Sequence, residues 1–221
     1  MYKYKVLLLC LFLILLFGLD RVDAKLNTLP LKNKVIYLDP GHGGKDPGAM
    51  YKSIMEKNIN LEISNNLKKI LEKNGASVYL TREGDYDLSV PNTINRKRSD
   101  LSRRSNIINK SLCDIFLSIH LNAESTGTWS GAQVFYDDIN PENKKIAKIM
   151  QQVFKENLNT KRKYKESTDL YLQKRINRPG VLLELGFLSN ANDRYLLKQK
   201  FYQNKLSNVI MQGLIRYFNE K

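Results

Sequence analysis

Two histidines occur in the 221 residues, and each follows an apolar run of strand type. Val35–Asp39 leads into Pro40-Gly41-His42-Gly43-Gly44, and Ile115–Ile119 leads into His120-Leu121-Asn122. A third run, Val181–Leu183, leads into Glu184. In open α/β sheets, sites form outside the C-terminal ends of strands, where adjacent loops converge. Two imidazoles and a carboxylate brought together there make a three-ligand zinc site with one position open for water. The third ligand could be Glu56 or Glu184. Glu56 stands at a predicted helix start, where a carboxylate is also favourable through the helix dipole alone. Glu184 lies inside an apolar strand, where an unpaired carboxylate is costly to bury, so a functional role is the better reading. One glutamate as ligand and the other as general base completes the set for metal-assisted hydrolysis.

Competing chemistries fit less well. The glycines of Gly41–Gly48 invite a nucleotide-binding reading. However, Asp46 stands where a dinucleotide fingerprint needs its third glycine, and where a phosphate loop needs Ser or Thr after Gly44-Lys45. Those glycines instead let the backbone turn sharply beside a metal. Cys113 sits in an apolar run, seven residues from His120, and reads as a small core residue rather than a catalytic thiol.

The elements that must carry these residues alternate. Strands are expected over Lys34–Asp39, Ala76–Thr81, Asp114–Ile119, Gly131–Tyr136, Leu170–Gln173 and Val181–Leu185. Helices are expected over Glu56–Asn74, Ile94–Asn109, Glu142–Leu158 and Tyr202–Phe218, on the spacing of residues such as Ile59, Ile63, Leu67 and Leu71. This order predicts a single α/β domain with a mostly parallel, twisted sheet flanked by helices. Neither a repeat nor a Pro/Ser-rich linker interrupts it.

The chain carries 36 Lys+Arg against 22 Asp+Glu, a formal +14, and 42% hydrophobic residues, enough for a core. Such charge suits nucleic acid, an anionic membrane surface or an acidic wall polymer. The N-terminus narrows the choice. Lys3 and Lys5 precede an apolar run from Val6 to Leu19, which as a helix is about 21 Å long, short of the roughly 30 Å hydrocarbon core. With Val22-Asp23-Ala24 behind it, residues 1–24 read as a secretory signal peptide, or as an uncleaved signal anchor. Export makes nucleic acid an unsuitable partner and limits membrane contact to this segment. Arg96-Lys97-Arg98, Arg103-Arg104 and the Lys161–Lys165 stretch read either as solvated faces or as attraction for stem-peptide carboxylates or lipid head groups. Trp129 reads either as a wall of a substrate groove or as a loop anchor.

The segments Val35–Gly44, Glu56, Thr81-Arg82, Ser118–Ala123 and Glu184–Asn190 together resemble the zinc-dependent N-acetylmuramoyl-L-alanine amidases of the bacterial wall. The resemblance runs in order over residues 34–218 and makes residues 25–221 the catalytic domain. It implies that His42, Glu56 and His120 hold Zn²⁺ and that Glu184 is the catalytic acid/base. Asn122 and Arg104 match positions that recur around the family's site, as substrate-binding candidates. Leu185 departs from the small or β-branched residue common there. Within the family, Trp129–Tyr136 and the short export segment resemble germination-specific amidases of spore formers. That likeness implies hydrolysis of the amide between muramic acid and L-alanine in peptidoglycan, at the spore cortex. A polysaccharide deacetylase would act in the same pathway, making muramic δ-lactam, and an activating protein is a further expected partner. Only Asp137–Pro141 separate Tyr136 from the next helix, which leaves no room for the inhibitory helix of other members. Two rivals are a catalytically dead wall-binding scaffold and a zinc carboxypeptidase acting on stem peptides.

Overall fold

Strand residues sort onto two faces with period two, and that sorting builds the molecule. In the computed structural model, which describes residues 29–220, eight strands form: β1 Val35–Pro40, β2 Met50–Tyr51, β3 Ile54–Met55, β4 Ser77–Leu80, β5 Ile115–Asn122, β6 Gln133–Tyr136, β7 Lys165–Glu166 and β8 Gly180–Phe187. Six of them make one sheet in the order β4-β1-β5-β8-β6-β7, while β2 and β3 form a small antiparallel hairpin. Every pairing in the large sheet is parallel except β6 with β8. The expected single, mostly parallel α/β domain is therefore present.

The helices are α1 Glu56–Lys73, α2 Arg96–Lys110, α3 Pro141–Leu158, α4 Ala191–Leu197 and α5 Lys200–Asn219. Ile36, Leu38, Ile115, Leu117, Ile119, Val181 and Leu183 face one side of the sheet, in a core completed by Ile63, Leu67 and Leu71 of α1, Val153 and Phe154 of α3, and Ile210 and Leu214 of α5. Each fully buried leucine there stabilises the fold by roughly 1.5–3 kcal/mol. Val35, Tyr37 and Phe116 face the other side, in a smaller cluster with Leu101 and Ile108 of α2 and with Leu172 and Ile176. Continuing the alternation, Asp39, Ser118, His120, Leu182 and Glu184 all belong to this second face. Polar residues thus gather where the strands end beneath α2.

Local chemistry sets the helix ends. Asn140 caps α3 by accepting from the Glu142 N–H, with Pro141 at the first turn. Only residues 137–140 separate β6 from α3, as the short connection in the sequence predicts. Asn190 accepts from the N–H groups of Asn192 and Asp193 and starts α4, a helix the periodicity alone does not suggest.

One element differs in kind from its expectation. Leu170–Gln173 is not a strand; it runs as turns into a 3₁₀ turn, Gln173–Arg175. The Lys174 N–H donates to Leu170 O, and the Arg175 N–H to Leu172 O. Consecutive burial of Leu172 and Gln173 breaks the alternation a strand would need. The segment expected to direct export, residues 1–24, lies outside the described residues. Among those described, no helix is long and apolar enough to cross a membrane.

Candidate metal centre

Three elements deliver the cluster: the loop after β1 brings His42, the first turn of α1 brings Glu56, and β5 brings His120. One ligand atom from each lies within 4.8 Å of the others. Glu56 Oε2 is 3.2 Å from His42 Nε2, and Glu56 Oε1 is 3.0 Å from His120 Nδ1. Glu56 also accepts from the Ala49 N–H at 2.8 Å, the Leu121 N–H at 3.0 Å and the Asn60 amide at 3.1 Å. Burial works against its charge, but hydrogen bonds from His120 and His42 override it and hold the carboxyl well below the usual range. His42 Nδ1 hydrogen-bonds Asp46 Oδ2 at 2.9 Å. Burial lowers the His42 pKa, yet Glu56 and Asp46 outweigh it and raise it above the ordinary value. Such a carboxylate behind a ligand histidine fixes the ring's orientation and basicity.

The His42 loop is forced into shape. His42 itself sits at φ 62°, a left-handed conformation that costs a non-glycine residue about 1–3 kcal/mol. Two buried arginines hold it. Arg104 donates to His42 O at 2.6 Å, Pro40 O at 2.8 Å, Asp39 Oδ1 at 2.9 Å and Asp100 Oδ2 at 2.8 Å. Arg82 donates to Pro40 O and Gly41 O, both at 2.9 Å. Burial, with help from the neighbouring Arg104 charge, pushes the Arg82 pKa down to about 10. Asp39 in turn accepts from Thr81 and Ser118 at 2.6 and 2.8 Å. Gly41 has no alternative residue, since a Cβ there would fall inside the His120 ring.

Glu184 stands opposite His120 in the β5–β8 register. Its Oε2 is shielded from water and has no hydrogen-bond partner. Desolvation pushes its pKa up to about 7, with the His120 and His42 charges pulling the other way. A buried acceptor left unpaired is rare in folded proteins and marks a group awaiting a ligand or solvent molecule. Between His120 and Asn122 the register slips, so that Asn122 pairs with Phe187, and Gly186 (φ 151°) lies in the β8 stretch that carries the extra residue. A cavity of about 340 Å³ opens over the cluster, lined by His42, Asp46, Arg104, His120, Glu184 and the 169–173 segment.

Of the residues singled out from sequence, His42, Glu56, His120 and Glu184 come together. Arg104 lines the cavity, but its guanidinium is committed to protein acceptors and holds the shape of the His42 loop. It is also no solvated helix charge, being 1% exposed. Asn122 does not line the cavity; its Oδ1 accepts from the Ala123 N–H. Trp129 is exposed and packs edge-on against Phe187, with the Arg162 guanidinium 4.5 Å from its ring centre. Cys113 is buried and unpaired, and burial pushes its thiol pKa up, as a core residue requires. Sequence reasoning misses Asp39, Asp46, Asn60 and Arg82 as supports. Asp39 left a signal as a carboxylate ending an apolar strand, and Arg82 left one only as part of the family-like Thr81-Arg82 pair.

A family model described as N-acetylmuramoyl-L-alanine amidase matches residues 36–216. The chain belongs to that family. The amidase is 44% identical over 198 residues to the germination-specific N-acetylmuramoyl-L-alanine amidase of Bacillus subtilis, covering 88% of this chain and 84% of that protein. It resembles the CwlD amidase from Clostridioides difficile, solved in complex with the GerS lipoprotein, with a TM-score of 0.82 and 39% identity over 86% of this chain and 100% of that one. The catalytic domain of CwlV from Bacillus (Paenibacillus) polymyxa is similar at TM-score 0.74 and 29% identity, covering 85% of this chain and 99% of that one. The amidase is thus a peptidoglycan hydrolase, and its His-Glu-His cluster brings together three donor atoms of the kind that hold a metal ion.

Proposed function

We propose that the amidase is zinc-dependent and cleaves the bond between the muramic acid lactyl group and L-alanine in the spore cortex. The observation that carries this reading is the pairing of a clustered His42-Glu56-His120 donor set with the orphaned Glu184 carboxylate on the adjacent strand. Two imidazoles and one carboxylate are the donor set of catalytic zinc. When bound, zinc supplies Lewis acidity, polarising the scissile carbonyl and making water nucleophilic near neutrality. His42, Glu56 and His120 would hold it. Glu184 would take the proton of the attacking water and return it to the departing alanine nitrogen. A carboxyl ionising near 7 suits both directions of that transfer. Arg104 is assigned to positioning the His42 loop, whereas Asn122 lies outside the cavity lining, and no contact of it supports the substrate-binding part the resemblance implies.

The germination role rests on the Bacillus subtilis relative, whose name carries it. There, stem-peptide removal would prepare muramic acid for a deacetylase and δ-lactam formation. The GerS complex of the Clostridioides relative supports an activating lipoprotein as partner. Residues 1–24 would direct export, as a cleaved signal or an anchor. Mass spectrometry of peptidoglycan incubated with and without zinc tests the activity. New lactyl carboxylates and L-alanine N-termini, appearing only with zinc, are expected. Released D-alanine would instead indicate a carboxypeptidase, and no product at all a scaffold.

A further inference from the structure

Gln173 is 1% exposed, and neither its amide nitrogen nor its amide oxygen has a hydrogen-bond partner. It lines the same cavity as His120 and Glu184. Its position is not loose. Arg175 stacks 3.5 Å above the centre of the Tyr171 ring, Asn109 Nδ2 donates to Arg175 O at 2.5 Å, and the Asn177 N–H donates to Asn109 Oδ1 at 2.8 Å. These contacts pin the 171–177 segment to α2. A buried amide with both a donor and an acceptor unmet is unfavourable in the free protein, and a leucine would fill the place better. Chain neighbours do offer apolar packing there, through Leu172 and Ile176.

Building on the amidase reading above, we propose that Gln173 reads the stem peptide. Its side-chain amide pairs with a backbone peptide group of the chain attached to L-alanine. The complementarity is chemical. A peptide group presents one N–H donor and one C=O acceptor, which a primary amide can satisfy together. Leu170, Leu172 and Leu182 line the same cavity and give it apolar surface beside the amide. Gln173 is accordingly a specificity-determining residue, apart from the proton-transfer and metal-holding groups.

NMR titration of L-alanyl-γ-D-glutamate into the full chain, wild type against Gln173→Met, tests this without depending on turnover. About ten-fold weaker binding is expected for the variant, because the ligand's peptide group is then buried unpaired. Thermal unfolding should move the opposite way, with Gln173→Met more stable, since an unmet amide has been removed. A Gln173 that merely supports the fold would lose stability on substitution. Equal binding by the two proteins, absence of binding by the wild type, or a destabilised variant would each overturn the proposal. Failure of the zinc-amidase reading looks different: the wild type would bind the dipeptide more tightly than the variant, yet release no lactyl carboxylate from peptidoglycan.

Discussion

Replacing Glu184 with glutamine should make the metal-free protein more stable and catalytically inert, with a stability gain that depends on pH. Gln mimics the protonated carboxyl in shape and neutrality. Burial raises the folded-state pKa of Glu184 from an ordinary 4.5 to about 7, so below 4.5 both folded and unfolded chains keep the proton and no penalty arises. Between those values the unfolded chain ionises while the folded one holds its proton, and stability falls as pH rises. Above 7 the loss is complete. At about 1.36 kcal/mol per pH unit, the penalty is below roughly 1 kcal/mol at pH 5 and on the order of 3 kcal/mol at pH 8. Urea unfolding of wild type and Glu184→Gln in the presence of a chelator, at both pH values, reads the difference directly. The variant should gain about 2–3 kcal/mol more at pH 8 than at pH 5. A difference that stays flat with pH would refute the desolvation argument, and a variant that still hydrolyses peptidoglycan would refute the acid/base role.

Three further outcomes follow from the supports of the cluster. Asp46→Asn should weaken zinc binding about 10- to 100-fold, measured by competition with a chromophoric chelator, because His42 loses the carboxylate that orients it. Arg104→Met leaves Asp39 and Asp100 buried without their cation and should destabilise by about 3–5 kcal/mol in urea unfolding. Gly41→Ala drives a methyl group into the His120 ring, so bound zinc per chain should fall towards zero in elemental analysis while far-ultraviolet circular dichroism stays close to wild type.

The sheet and its larger helices are legible because their apolar spacing is dictated by burial, and burial is what they do. Ile36 and Leu38, or Ile63 and Leu67, announce their faces without help from distant residues. The cluster residues are legible for a different reason: His42, His120 and Glu184 end apolar runs at which polar groups have no structural excuse. What stays hidden is long-range. Arg82 and Arg104 stand at family-like positions, but nothing local shows that they clamp the β1 loop through three of its carbonyls. The Leu170–Gln173 segment reads as a strand because its composition is apolar, whereas its backbone hydrogen bonds close locally, with Lys174 donating to Leu170. A hydrophobic run reports burial, not the direction in which the backbone bonds.

The two buried arginines have an evolutionary corollary. By clamping residues 40–42 from beneath, they remove the His42 loop from the part of the molecule that tolerates drift. The wall at 169–173 is built from a separate stretch of chain and anchored separately. Substitutions there can retune which peptide is accepted without disturbing the bond-breaking apparatus. Diversification of substrate preference within such a scaffold should therefore proceed along one wall, against an unchanging floor.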